Sequence, residues 1–374
     1  MMPRPSILRE GVMTMRDQQQ YEEIRAAAAS VYNRMTTDGS GDWGMAIDCW
    51  DWVPGVGLIA IMYYGEQLEQ TEAVQYVHHW MERNERLAGG ELVINAVAPY
   101  TVLPALYELT GERRYLDKAA VVGDWLLREA PRTREGALEH TVTEAAAFPE
   151  QVWADTLFMS VLFMAKLARV TGQVKYAEEA AKQLELHLRL LQDEATGLLF
   201  HGWNCGEGHH MSAARWARAN AWVVLATPWI AKEIDELIAL PASITERYTK
   251  LAQGLVENQG ADGLWPTVLD RPDYYSETSG SAGIAAGLLS GIQLGWLKDE
   301  YLQAVEQALQ GIISHIAADG TVLQVSGGTP VLESIAAYNS VPCYPSQYGQ
   351  GLTLILLTMA AAMYEGGGCD ATAE

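Results

Sequence analysis

A single acid interrupts the apolar run QVWADTLFMSVLFMAKLARV: Asp155 is followed at helical spacing by Phe158, Met159, Leu162 and Phe163. On a helix over about 150–170 these residues share a face with the carboxyl, which sits in the second turn just past Pro149. Two effects oppose each other there. The helix terminus favours the carboxylate, whereas Trp153, Phe158 and Met159 favour the protonated acid. Burial is the larger effect, so Asp155 is expected to be neutral near neutral pH and able to donate a proton. The alternative is a carboxyl that merely caps or bonds a neighbouring loop.

Other groups could act beside it. His140 in ALEHTV and His201 in FHGW are each either an acid/base group or a satisfied structural histidine. Arg218 stands four residues before Trp222 in WARANAW, which puts guanidinium and indole on one helix face. That arginine suits a carboxylate clamp, and equally an ion pair with a surface acid. His201, Cys205, His209 and His210 lie close in sequence, but their spacing matches no defined zinc pattern, so no metal is expected.

The elements that must position these groups fall into two alternating classes. Charged amphipathic helices are predicted over about 17–35, 69–88, 112–130, 174–193, 242–258 and 298–317. Between them run segments apolar almost all round, over about 54–65, 96–109, 150–170, 215–235, 278–295 and 347–364. Helices without a wet face must be buried. Echoes such as TGERRYLDKAA and TGQVKYAEEAA, and turns in TGLLFHGW, DGLWPTV and DGTVLQV, support a repeat. Six buried helices ringed by six amphipathic ones predict an all-α (α/α)6 barrel, a six-hairpin toroid with a few short strands in its loops. An open solenoid would leave inner-helix flanks uncovered. The chain is expected to be one domain over 1–374, loosely ordered in about the first 15 and last 8 residues.

Loops ahead of the buried helices concentrate aromatic, histidine and acidic residues: DCWDWVPG with Trp50 and Trp52, LEHTVTEAAAFPEQVWAD, FHGWNCGEGHH with Trp203, YYSETSGSA and YNSVPCYPSQYGQG. Converging helix N-termini suit an anion, and Trp or Tyr suits the face of a sugar ring. A small acidic oligosaccharide is therefore the expected partner. A net charge of −22 argues against nucleic acid and anionic membrane surfaces. Four unpaired-looking cysteines, no leader-like start and no apolar run of about 18 residues point to a cytoplasmic protein.

Taken in order, DCWDWVPGVGL, NAVAPYTVLPALYELTGERRY, VWADTLFMSVLFMAKLARVTG, TGLLFHGW, WARANAWV, DGLWPTVLD, ETSGSA and YGQGL resemble glycoside hydrolase family 105, the unsaturated rhamnogalacturonyl hydrolases. The resemblance covers about residues 40–355. It implies an (α/α)6 barrel and hydrolysis of lyase-generated oligosaccharides, with removal of a terminal uronic acid bearing a C4=C5 double bond. An acid protonates C4 of that vinyl ether, water adds at C5, and the hemiketal collapses. The resemblance assigns the acid to Asp155 and places Asn95, His140, His201, Trp203, Arg218 and Trp222 around the substrate, with Trp50 and Trp52 in the first loop. It implies no cofactor. Many relatives carry Asp where this chain has Asn95 in VINAVAP, and Asn cannot ionise; Ala219 follows Arg218 where Gly is usual. Other readings are an epimerase or isomerase using His140 and His201, a two-carboxylate glycosidase with Glu144, Glu150 or Glu277 as second acid, and a non-catalytic sugar-binding scaffold. The sequence leaves the oligomeric state open.

Overall fold

The computed structural model describes residues 14–37, 47–90, 92–144 and 148–365. Most of the terminal residues expected to be loosely ordered lie outside these. In chain order the first helices are α1 (Met15–Thr36), α2 (Trp52–Gln67), α3 (Thr71–Asn84), α4 (Leu103–Thr110), α5 (Arg113–Arg128), α6 (Leu162–Thr171) and α7 (Val174–Leu191). They are followed by α8 (Ala217–Ile234), α9 (Ala242–Glu257), α10 (Thr278–Gln293), α11 (Leu302–Ile313), the short α12 (Ile335–Tyr338) and α13 (Gln347–Glu365). The odd-numbered helices from α1 to α11 form the outer layer. α7 shows why: Tyr176, Ala177, Ala180, Leu184 and Leu188 are buried at helical spacing, while Glu178, Lys182 and Arg189 face solvent.

Inside lie α2, α4, α6, α8, α10 and α13. α10 is buried from Thr278 to Ile292 and built largely of Gly, Ala and Ser. Such small side chains let backbones meet: a Cβ on Gly287 would sit 2.6 Å from the backbone of Val224 in α8. The ring closes, because α13 packs against both α10 and α2. The outer layer closes too. Gly320, at φ +84°, turns the chain tightly against α1, where a side chain would collide with the Ser30 carbonyl. Arg34 of α1 then bonds Thr321 at 2.9 Å. The closed all-α toroid expected from sequence is the observed fold.

Two inner segments depart from plain helix. Asn95–Val102 is a 3-10 turn containing Pro99, and Leu157–Val161 is a π turn that leads into α6. The predicted helix over 150–170 is also split at its start: Gln151–Trp153 is a strand, β1, paired antiparallel with β2 (Gly202–Asn204). Among the described residues no helix is long and apolar enough to cross a membrane.

Candidate active site

Backbone hydrogen bonds between loops bring the candidate residues together. The Asn95 N–H donates to the Thr141 carbonyl, the His140 N–H to Gln151 and the Ala154 N–H to His201, each at 3.1 Å. With β1 on β2, these bonds lay Asn95, His140, Asp155 and His201 along one strip. Asp155 is therefore the residue at which strand gives way to helix, not a second-turn residue as the periodicity suggested. The wide π turn just beyond it is of the kind that recurs at functional sites.

The Asp155 side chain is 14% exposed and the His201 side chain behind it 0%. His201 Nε2 lies 3.2 Å from Asp155 Oδ2. The two are at ion-pair distance but lack the alignment of a hydrogen bond, and neither atom has another partner. Burial pushes the Asp155 carboxyl up, yet the His201 contact, His140 and Arg218 outweigh it and leave the group below its ordinary value. The expected neutral acid is thus overturned: the free protein holds Asp155 as a carboxylate. Its sequence neighbours are greasy, but the groups that favour its charge arrive from distant segments. His140 contributes only in acid, since burial pushes its ring down to about 4. Arg218 contributes at any working pH, since a guanidinium stays charged.

A continuous aromatic girdle backs the carboxylate. His140 stacks on Trp153 at 4.5 Å, Trp153 meets His201 at 5.7 Å, and His201 packs on Trp216 at 4.5 Å. Arg218 is held between Trp216 (4.3 Å) and Tyr348 (4.5 Å), and Tyr348 stacks on Trp52 at 4.9 Å. His140 Nδ1 is fixed by the Thr156 hydroxyl at 3.0 Å. Trp50 and Trp52 are half-buried, with the Trp50 indole N–H on the Ala96 carbonyl at 3.2 Å, next to Asn95. The Asn95 carboxamide oxygen is buried without a partner.

Arg218 differs from the free clamp expected. It is 1% exposed. Its Nη atoms bind Ser279 Oγ (3.2 Å), Ser326 O (2.8 Å), Ser326 Oγ (2.6 Å) and Gly327 O (2.7 Å), and Glu277 lies 3.7 Å away. Only Nε lacks a partner. Its ion-pair partner is a fully buried glutamate rather than a surface acid.

Two expected substrate contacts are displaced. Trp203 is paired with Val152, and strand alternation turns it to the face opposite Trp153, where it packs on His210 at 4.6 Å. Trp222 has no accessible surface and packs on Phe158 at 5.0 Å, so it supports the floor from beneath. The histidine-rich loop does not converge: His209 pairs with Glu207 at 2.7 Å, His210 bonds the Leu190 carbonyl at 3.0 Å, and His201 turns inward. The proposed second carboxylates do not line up beside Asp155. Glu150 pairs with Arg134 at 3.3 Å, Glu144 is exposed, and Glu277 N-caps α10.

Sequence reasoning overlooked Trp216, Tyr348 and Tyr338 as parts of the site. Their only signal was the aromatic density of the loops; Tyr338 in particular lies in a four-residue helix without periodicity.

Comparisons with known proteins bear on the same scaffold. Residues 23–364 match the family model described as Glycosyl Hydrolase Family 88. The chain belongs to this family. It is 37% identical over 316 residues to the unsaturated rhamnogalacturonyl hydrolase YesR of Bacillus subtilis, covering 82% of this chain and 88% of that protein. Two solved structures, each described as a possible member of the GH105 family, superpose with a TM-score of 0.86. The one from Klebsiella pneumoniae is 31% identical and covers 96% of both chains. The one from Salmonella enterica is 30% identical and covers 95% of this chain and 96% of that one. The family 88 protein is thus a glycoside hydrolase of the helical toroid kind, as the motifs implied.

Proposed function

We propose that this hydrolase removes a terminal Δ4,5-unsaturated uronic acid, galacturonyl linked to rhamnose, from oligosaccharides left by a polysaccharide lyase in pectin breakdown. The observation that carries the reading is one partly accessible carboxylate, Asp155, whose buried Oδ2 lies 3.2 Å from His201 Nε2, while Glu150 pairs with Arg134 and Glu277 N-caps α10. One carboxyl suffices for this chemistry. Asp155 delivers a proton to C4 of the vinyl ether, water adds to the oxocarbenium centre at C5 and loses its proton to the resulting carboxylate, and the hemiketal opens to release the keto acid and the leaving sugar.

The ionised state of the free protein fits this scheme. A uronate substrate brings a carboxylate against Asp155, and a like charge close by favours the protonated form. Substrate binding therefore loads the acid. Trp50 and Trp52 serve as stacking surfaces, and Asn95, unable to ionise, orients the substrate without sharing in proton transfer. Cys49, Cys205 and Cys343 form no disulfide among the described residues, which supports work in the cytoplasm, in carbohydrate breakdown.

The test follows loss of the conjugated double-bond absorbance when lyase-generated oligosaccharides are added. Unsaturated galacturonyl-rhamnose should be consumed and the saturated analogue left intact. Cleavage of the saturated compound would instead indicate ordinary glycoside hydrolysis. Because substrate loads the acid, kcat should survive to higher pH than kcat/KM; coincident limbs would contradict loading.

A further inference from the structure

We propose that Tyr338, on α12, is a positioning residue that orients His201 and sets its tautomer, so that the His201 Nε2–H faces Asp155. The inference rests on the Asp155 reading above. Tyr338 is 0% exposed although it lies in the connection between α11 and α13. Its hydroxyl accepts the Leu332 N–H at 3.1 Å and lies 2.8 Å from His201 Nδ1. With one lone pair engaged by Leu332, the hydroxyl proton finds its aligned acceptor in Nδ1. An imidazole accepting at Nδ1 carries its proton on Nε2, the atom 3.2 Å from Asp155 Oδ2.

The surroundings agree. Burial pushes the Tyr338 phenol up to about 12, so it remains a neutral donor at working pH. The ring packs on Trp216 at 5.9 Å and edge-on to His201 at 5.8 Å. α12 is anchored by Ser334, whose hydroxyl accepts the Ala337 N–H at 3.3 Å. The groups facing His201 are Asp155 on the inner-helix side, Trp153 from β1, Trp216 ahead of α8 and Tyr338, with His140 and Arg218 further along the girdle. The buried Ser212 hydroxyl also lies beside Tyr338 and has no aligned partner. It defines the competing arrangement, in which Tyr338 donates to Ser212 and accepts from Nδ1–H.

The Tyr338→Phe protein keeps the ring and loses only the hydroxyl. With unsaturated uronyl substrate, its low-pH plateau of kcat should fall about tenfold with KM within about twofold. The falling limb should move to higher pH, because the carboxyl loses the N–H that favours its charged form. Ring-nitrogen NMR of the full-length wild-type chain should show His201 protonated at Nε2 and bare at Nδ1. In a His201→Gln background, whose amide N–H replaces Nε2–H, Tyr338→Phe should cause no further loss. Protonation at Nδ1 in the wild type, an unshifted profile in Tyr338→Phe, or full additivity with His201→Gln would overturn the proposal. If no unsaturated oligosaccharide is turned over, the function above falls, while the ring-nitrogen spectrum still decides the Tyr338 contact.

Discussion

Replacing Glu277 by Gln should destabilise the protein more than any surface charge change. Glu277 is wholly buried, lies 3.7 Å from the equally buried Arg218, and accepts from Ser279 Oγ (2.7 Å), Gly280 N (2.5 Å) and Ser326 N (2.9 Å). Gln removes the compensating charge, which costs about 3–5 kcal/mol when one partner of a buried pair is lost. It also turns an N–H toward backbone N–H donors, leaving one of them without an acceptor for about 1 kcal/mol more. With unfolding entropy of about 2.1 cal/mol/K per residue over 374 residues, each kcal/mol shifts Tm by about 1.3 °C, so a drop of about 5–8 °C follows. Thermal and chemical denaturation measure it. In an Arg218→Met background the same substitution should cost only its hydrogen-bond part, about 1 kcal/mol. An unchanged Tm, or equal costs in both backgrounds, would refute the claim that the pair balances a buried charge.

Two further outcomes follow from the geometry. His187 is buried with its Nδ1 on the Gln183 carbonyl at 2.7 Å, and burial pushes the ring down from 6.5 to about 4. A ring whose folded value lies below its unfolded one stabilises the fold fully above the unfolded value and loses that contribution as pH falls. The loss runs from about 6.5 to about 4, so His187→Leu should flatten the acid fall in stability by about 3 kcal/mol, read from denaturation midpoints across that window. Trp203→Phe should leave kcat and KM within about twofold, since Trp203 faces away from Asp155, whereas Trp52→Ala should raise KM by about tenfold through loss of a stacking surface; steady-state kinetics on both proteins decide it.

Much of this architecture was legible in the residues. The outer helices announce themselves by spacing, as in VKYAEEAAKQLELHLRLL, and the inner ones by lacking any wet face, which also argued for closure. The segment around Asp155 misled because its pattern suits either a helix or a strand, and pairing with Gly202–Asn204, some fifty residues on, decided for strand at Gln151–Trp153. The ionisation of Asp155 was misjudged for the same reason. Local sequence displays Trp153, Phe158 and Met159, but His201 and Arg218 are brought to the carboxyl by the fold. Trp203 looked exposed to substrate until strand alternation fixed its face. Tyr338 had no periodic context from which to be found.

The central claim is that Asp155 alone supplies the proton. Single-turnover decay of the conjugated absorbance, with lyase-generated unsaturated galacturonyl-rhamnose on wild-type and Asp155→Asn proteins, tests it directly. Loss of a general acid predicts a rate lower by about 10²–10⁴-fold with substrate still bound. An Asp155→Asn protein that consumes the double bond within about threefold of the wild-type rate would contradict the account, because a group removed from a general-acid mechanism cannot leave the chemical step that fast.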